Sequence, residues 1–321
     1  MERINSCPIC NSNKLKNIKN HIFKYPGDDI KDHLDDINFE RLWILFNKIL
    51  KKKGQENFES SLCESCGFIF INQRFSDEDM KLKYDAINEL GGVKFRLEYD
   101  KLNKQEIRAK TIYNRINPFI ENEKMDRPKI IDIGGASGYI LEPFINKYDC
   151  NIIDFEKWKL PKGIKYIGKQ LADLPKDQIF DVALLLHTLE HIVEPKKSIE
   201  EIYCRLSENG YLYIEVPLGA FQEYKFVSDP LTHVNFFSEQ SLSRLLNECE
   251  FNVIYLSSKY QRVTRAKTWC INILATKNKD ILSVPSGNIA STQKQMSKLV
   301  YYLPFIFHKR AYQKILKKLQ N

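Results

Sequence analysis

Apolar positions fall into two regimes along this chain. From residue 129 onward, short apolar runs alternate with longer segments that carry a helical stripe. Ile130, Ile131 and Ile133 form the first run, and an apolar-periodic segment opens at Tyr139 after a glycine-rich turn. Residues 151–154, 163–168, 180–186, 211–216, 251–256 and 269–276 read as further strands. Pro195 begins a helix whose apolar face is Ile199, Ile202, Tyr203 and Leu206, and Asn209-Gly210 ends it. Ser238 is the predicted N-cap of a helix reaching Glu250. Residues 180–186 are apolar almost throughout, as suits a strand buried on both faces of a parallel sheet. The alternation predicts an α/β fold with a mostly parallel sheet.

Ahead of this region the pattern is different. Residues 39–50 form an amphipathic helix that ends in Lys51, Lys52, Lys53 and Gly54, a basic last turn that suits a helix C-terminus. A strand is predicted at 67–71, and helices at 77–90 and 95–120. Pro118 and the polar stretch 121–128 mark a boundary. The expected division is 1–76, a cysteine-bearing module with a helical insertion; 77–125, a helical bridge; 126–278, the α/β domain; and 279–321, a basic tail. The insertion either covers a site or packs.

Chemistry enters at the first turn of the α/β region. Gly134, Gly135 and Gly138 follow a buried strand and precede the Tyr139 segment, an arrangement that presents backbone N–H groups to a small ligand. A dinucleotide G-x-G-x-x-G starting at Gly134 would need glycine where Ala136 and Tyr139 stand. The spacing instead reads as an acid, Asp132, then G-x-(G/A)-x-G over Gly134, Ala136 and Gly138. Asp154, at the end of the second strand, is placed to bond ribose hydroxyls, with Glu156 as the second choice.

Cysteine spacing adds a metal. Cys7-Pro-Ile-Cys10 and Cys63-Glu-Ser-Cys66 are two C-x-x-C knuckles, which together complete a tetrahedral four-cysteine zinc site. Such a closed site is structural. Asn11 and Gly67 follow the knuckles and tolerate the left-handed backbone such a turn needs. Cys150, Cys204, Cys249 and Cys270 stand alone in apolar segments and read as buried reduced thiols. The chain has 321 residues and 43% hydrophobic content, enough for a full core. No apolar run is long enough to cross a bilayer, and the N-terminus shows no signal-like core, so cytoplasm is the expected compartment. The net charge of +8 is spread along the chain, which suits an acidic substrate or surface without pointing to nucleic acid.

The turn 132–138 resembles motif I of the class I S-adenosylmethionine (SAM) dependent methyltransferases. With the two knuckles and a bridge containing Tyr84, residues 5–275 resemble the zinc-binding sugar C- and O-methyltransferases of deoxysugar and surface-polysaccharide biosynthesis. That resemblance implies a Rossmann-like seven-stranded sheet closed by one antiparallel strand, joined by helices to a four-cysteine zinc ribbon. It implies SAM as cofactor, with Asp132, Gly134, Gly135, Ala136 and Gly138 at its aminoacyl end and Asp154 at its ribose. Leu171 and Ala172, in a loop at 170–175, would lie along the adenine, unless Asp173 only caps a turn. His187-Thr-Leu-Glu-His191 resembles the family's H-x-L-E-H segment. His187 would lie beside the cofactor. Glu190 and His191 would reach the substrate or lock the following loop. Residues 231–238 resemble a further H-x-N-(F/Y)-(F/Y)-S segment, after an aromatic loop at 218–230. His233, an imidazole that titrates near neutrality, is the leading base. Related C-methyltransferases carry a His-Glu-His-like segment here, whereas Thr232 and Val234 flank a single histidine in this chain.

The expected partner is a nucleotide-linked sugar or glycan precursor, not a nucleic acid. Two other classes stay open: a nucleic-acid or protein methyltransferase whose zinc module grips the substrate, and a SAM-fold scaffold without turnover. The basic, aromatic tail either lies peripherally on an anionic membrane or packs on protein. Nothing in the sequence signals an oligomeric state.

Overall fold

The computed structural model describes residues 1–30, 36–90, 105–123, 126–221, 223–263 and 267–281. The tail beyond Ile281 and the first part of the helix predicted at 95–120 lie outside these residues.

The N-terminal module contains strands β1 (Glu2–Arg3) and β2 (Leu15–Lys24), helix α1 (Ile37–Ile44), and strands β3 (Gln55–Cys63), β4 (Ile69–Ile71) and β5 (Gln73–Arg74). Asp36 caps α1 by accepting from the backbone N–H groups of Asn38 and Phe39, and a π-helical turn, Leu45–Ile49, continues it. β2 and β3 form a long antiparallel hairpin with a register shift between Asn17 and Lys19. That irregularity breaks the period-2 pattern of β2, which is why the apolar pattern gave no sign of it.

Helix α2 (Asp77–Glu89) is closed at its start by a reciprocal Ser76–Asp79 capping box. Helix α3 (Gln105–Asn122) contains Pro118, as the predicted helix to Ile120 did, and closes two residues beyond Ile120. Ile112, Ile116 and Ile120 are buried along one face of α3, and this burial outweighs the hydrogen bond the proline cannot make.

The main sheet takes β6 (Lys129–Ile133), β7 (Asp149–Ile153), β8 (Ile164–Gly168) and β9 (Phe180–Leu186), then, after helix α4 (Pro195–Cys204), β10 (Leu206–Pro217). A two-residue strand β11 (Asn235–Phe236) precedes helix α5 (Glu239–Glu248), and β12 (Asn252–Arg262) and β13 (Lys267–Thr276) complete the chain's strands among the described residues. The order is β12-β13-β10-β9-β6-β7-β8. β6 to β10 pair in parallel, and β13 lies antiparallel to both of its neighbours. This is the predicted seven-stranded Rossmann-like sheet with one reversed strand. The chain runs outward through β7 and β8, then crosses back to β9 on the other side of β6. Open α/β sheets bind ligands beyond the carboxyl ends of strands at such a switch point.

Three local expectations are corrected. The segment after the glycine turn is a short 3-10 helix, Tyr139–Phe144, because Pro143 lacks the N–H a longer helix needs. Helix α4 stops at Cys204, not at Asn209-Gly210, and Leu206 pairs with Phe180 in the sheet. Cys204 is exposed, because the buried stripe of α4 runs through Ile199 and Ile202. Cys150, Cys249 and Cys270 are buried as expected.

The module and the main sheet share their cores. Cys7, Cys63, Cys66, Phe68 and Phe70 belong to the same apolar cluster as Leu185, Ile214 and Phe237. β11, from the catalytic half of the sequence, pairs antiparallel with β4 of the module through Asn235↔Phe70 and Phe236↔Ile69. The order β11-β4-β3-β2 makes one four-stranded sheet from two distant parts of the chain.

Candidate active site

β6 delivers the glycine turn to the switch point. Gly134 has φ +75°, and a Cβ there would stand 2.7 Å from Thr188 Oγ1. A Cβ on Gly135 would stand 2.8 Å from Asp132 Oδ2, so this glycine lets the carboxyl fold under the turn. Ala136 also adopts a left-handed backbone, φ +43°, where the related motif usually has glycine.

Asp132 is buried, and desolvation raises its pKa to about 7, with Arg108 opposing the rise and Asp154 adding to it. Asp154 fastens the turn: Oδ2 accepts from Ala136 N at 3.0 Å and Oδ1 from Glu156 N at 3.0 Å. Beside it, Phe155 stacks on Tyr84 of α2 with ring centroids 4.2 Å apart. In the 170–175 loop, Leu171 packs into the core and Ala172 is exposed. Asp173 caps this loop by accepting from Lys169 N and Gln170 N at 3.3 and 3.2 Å.

The carboxyl end of β9 holds the second group of predicted residues. His187 has φ +52°, a strained backbone for a histidine. Thr188 donates to Ile133 O at 3.1 Å and so ties this segment to the glycine turn. His187 lies between two buried carboxyls, with Nδ1 3.2 Å from Glu190 Oε1 and Nε2 3.1 Å from Glu215 Oε1. Burial alone would lower the His187 pKa, but Cys270, Glu190 and Glu215 outweigh it and hold the ring protonated. Glu215 is also met by Arg108 at 2.7 Å. Burial disfavours both carboxylates, yet Arg108 and His187 hold Glu215 at about 2, and the three histidines hold Glu190 at about 2.

His191 and His233 stand together, ring centroids 4.8 Å apart. The Nδ1–H of His191 donates to Thr232 O, since a carbonyl can only accept. Burial, only partly opposed by Glu190, pulls His191 down to about 4, so its ring is neutral near pH 7. His233 Nδ1 is 3.3 Å from Glu223 Oε2. Burial lowers the His233 pKa, and Glu223 more than reverses this. The neighbouring backbone is firmly held: Val234 N donates to Glu190 O at 3.0 Å, Asn235 Nδ2 to Leu189 O at 2.9 Å, and buried Lys83 to Leu231 O at 2.6 Å. The two predicted histidine segments, more than forty positions apart in the chain, therefore form one cluster with Glu190.

Arg108, Glu215, Glu223, Lys83 and Cys270 were not singled out from the sequence as site residues. Glu215 had a visible signal, as a lone acid in an otherwise apolar strand. Cys270 reads in the sequence only as a buried thiol, and Arg108, Glu223 and Lys83 have partners that only the fold supplies.

The four knuckle cysteines converge. Cys7 and Cys66 sulfurs are 3.6 Å apart, as are those of Cys10 and Cys63, and all four sulfurs lie within 4.8 Å of one another. Zinc–sulfur bonds near 2.3 Å in a tetrahedron put sulfurs about 3.8 Å apart, so the set fits zinc. Asn11 and Gly67 close the knuckles with φ of +57° and +74°, as the sequence predicted. Cys66 donating to Cys7 draws the Cys7 thiol down to about 6 and pushes Cys66 up, while burial pushes Cys10 to about 11. Four thiolates can coexist here only around a cation.

Comparison with known proteins agrees with the sheet. Residues 100–256 match the family model described as a methyltransferase domain. The chain is 31% identical over 170 residues to Uncharacterized protein MJ1123 of Methanocaldococcus jannaschii, covering 50% of this chain and 80% of that protein. It is 27% identical over 186 residues to the tRNA U34 carboxymethyltransferase of Campylobacter fetus, covering 52% of this chain and 59% of that enzyme. Among solved structures, it is similar to the 1,6-didemethyltoxoflavin-N1-methyltransferase of Burkholderia thailandensis, which was solved with S-adenosylhomocysteine bound. The identity there is 14% and the TM-score 0.47, covering 68% of this chain and 96% of that one. The chain belongs to the class I SAM-dependent methyltransferases.

Proposed function

We propose that this methyltransferase methylates a sugar hydroxyl, on a nucleotide-linked precursor or a growing glycan, in surface-polysaccharide biosynthesis. The observation that carries the reading is the Glu190–His191–His233 cluster at the carboxyl end of the main sheet, joined to the glycine turn through Thr188. The sulfonium of SAM already activates the methyl group. What remains for the protein is to align an acceptor in line with the S–CH3 bond and to accommodate the proton its hydroxyl gives up. This reading gives that task to His233, His191 and Glu190, and the contact of His233 with Glu223 supports it.

The same reading assigns the cofactor. Asp132 meets the ammonium of SAM, the turn Gly134–Gly135–Ala136–Gly138 follows its aminoacyl end, and Asp154 takes the ribose. Each Asp154 oxygen keeps a lone pair beyond its backbone bond. Leu171, Ala172 and His187 flank the remaining surface. Zinc, held by Cys7, Cys10, Cys63 and Cys66, is structural, since four protein ligands leave no open position.

The test is turnover with radiolabelled SAM on a nucleotide-sugar and glycan panel, alongside defined RNAs and proteins. Because one relative is a tRNA U34 carboxymethyltransferase, tRNA belongs in that panel. Methyl transfer confined to RNA or protein would overturn the sugar reading. SAM binding with no turnover on any acceptor would favour a silent scaffold. His233→Ala is expected to bind SAM and fold as wild type while turning over roughly 10²–10⁴-fold more slowly.

A further inference from the structure

Glu190 is the anomaly of the cluster. Its side chain is 2% exposed, yet neither carboxylate oxygen receives an aligned hydrogen bond among the described residues. His187 Nδ1 is 3.2 Å from Oε1 and His191 Nε2 is 3.9 Å from it, both ion-pair contacts without hydrogen-bond alignment. The charge of Glu190 is balanced by the protonated His187, but its two buried oxygens lack hydrogen-bond partners, and Oε2 has no ion-pair contact among the described residues, so the carboxylate has room for a further positive group.

The two histidines show what that group is. In each ring Nδ1 is committed to an acceptor, Thr232 O for His191 and Glu223 Oε2 for His233. With Nδ1 carrying the proton, the neutral His191 ring presents its Nε2 lone pair on the opposite edge, and His233, whose pKa Glu223 raises, does so once a cation displaces its second proton. Metal-binding histidines are oriented in just this manner, by a carbonyl or carboxylate on the far nitrogen. One ligand atom each from Glu190, His191 and His233 lie within 4.8 Å of one another. Bonds near 2.1 Å draw such atoms to about 3–3.5 Å apart, a closure that small side-chain rotations supply. The backbone under them is fixed by Val234 N on Glu190 O and by Asn235 Nδ2 on Leu189 O and Ile192 O.

We propose that Glu190, His191 and His233 bind one divalent transition-metal cation, distinct from the thiolate site, on which the acceptor hydroxyl docks. Two imidazoles and a carboxylate favour Mn²⁺, Fe²⁺, Co²⁺ or Zn²⁺ over Ca²⁺. Three protein ligands leave positions open for the substrate, unlike the closed four-thiolate set. A cation at this point orients the hydroxyl and lowers its pKa, so its proton can leave to water as the oxygen attacks the methyl carbon. The C–S bond then breaks with its electron pair returning to sulfur. This deepens the methyl-transfer reading above, and replaces simple proton uptake by the cluster with cation-assisted ionisation.

The test is calorimetric titration of the purified full chain with Mn²⁺, an ion that a soft thiolate site disfavours. One equivalent is expected to bind to wild type and none to Glu190→Gln or His191→Ala, with SAM binding of the variants as the check on folding. Should Glu190→Gln fail to fold, His191 and His233, both less buried than Glu190, carry the same test as single alanine variants. Electron paramagnetic resonance of bound Mn²⁺ is expected to broaden when a hydroxylated acceptor is added. No Mn²⁺ binding in wild type, or equal binding in wild type and all variants, overturns the proposal. The readout is independent of turnover, so a failed sugar panel with Mn²⁺ bound rejects only the substrate, and turnover without Mn²⁺ binding rejects only the cation.

Discussion

Asp132 makes the clearest pH statement in the molecule. Its folded pKa of about 7 lies above the ordinary carboxyl value, so below that pH the unliganded protein keeps it protonated. In the proposed assignment Asp132 meets the ammonium of SAM as a carboxylate, so binding must expel the proton. SAM affinity is therefore expected to be highest just above pH 7, to fall by up to about tenfold per unit as the pH drops below it, and to fall again as the ammonium of SAM deprotonates at about pH 8. Calorimetry from pH 5.5 to 8.5 checks this (a range of about three units spans the titration), and Asp132→Asn should flatten the acid side of the profile. Arg108 and Asp154 face the same carboxyl and set where the transition falls. Ala136 offers a second test at this scale. A left-handed alanine costs about 1 kcal/mol, part of which glycine would return despite its larger unfolded-state entropy. Ala136→Gly should stabilise the protein by about 0.5 kcal/mol, read as a higher denaturation midpoint, with SAM binding kept. A lower midpoint would mean the alanine methyl packs better than its backbone strain suggests.

Strand β11 is only two residues long, and its position depends on partners outside the main sheet. Arg74, at the end of β5, is buried and donates to Asn235 Oδ1 at 2.8 Å and to Val234 O at 3.3 Å, with its guanidinium 5.2 Å over the Phe70 ring. Burial lowers its pKa to about 9, still high enough to keep it charged at neutral pH. Arg74→Ala leaves Asn235 Oδ1 buried without a donor, while Val234 O keeps the backbone N–H of Ile71 at 2.9 Å, a loss of about 1–3 kcal/mol. Urea unfolding should show that loss, and turnover should fall with it, because only Val234 separates His233 from β11. Unchanged stability would mean that water replaces the guanidinium. Helix α3 shows the same dependence. Arg108 reaches Glu215 from α3, so a helix before the catalytic sheet fixes the charge on the far side of His187.

At the level of the whole chain, the ribbon and the sheet are one body because they share an apolar cluster and a four-stranded sheet. Removing the proposed zinc would leave four thiols with no cation among them, within that shared cluster. Treatment with a strong chelator should lower the melting temperature and abolish turnover together, in one cooperative transition. Scanning calorimetry with and without chelator, with elemental analysis for bound zinc, measures this. Two separate transitions, or a metal-free protein with unchanged melting, would show that the ribbon is dispensable. Cys63→Ser should repeat the effect of chelation.

The single reversed strand came only from the family resemblance, whereas the sequence by itself determined the α/β sheet, the glycine turn after Asp132 and the pairing of the two cysteine knuckles. Each rests on short-range information: apolar runs, turn residues and ligand spacing persist whatever the rest of the chain does. Even the left-handed Asn11 and Gly67 follow from residue type alone. The short 3-10 helix before Ile145 was written in Pro143, a signal that was present and outweighed by apolar periodicity. Only the tertiary structure decided the rest. It ended α4 at Cys204, paired β11 with β4 and set Arg108 against Glu215. It also brought Glu190, His191 and His233 to one point. The reason is physical: a two-residue strand, a bulged hairpin and a buried charge have no period of their own, and their energies exist only once the partner surface is in place.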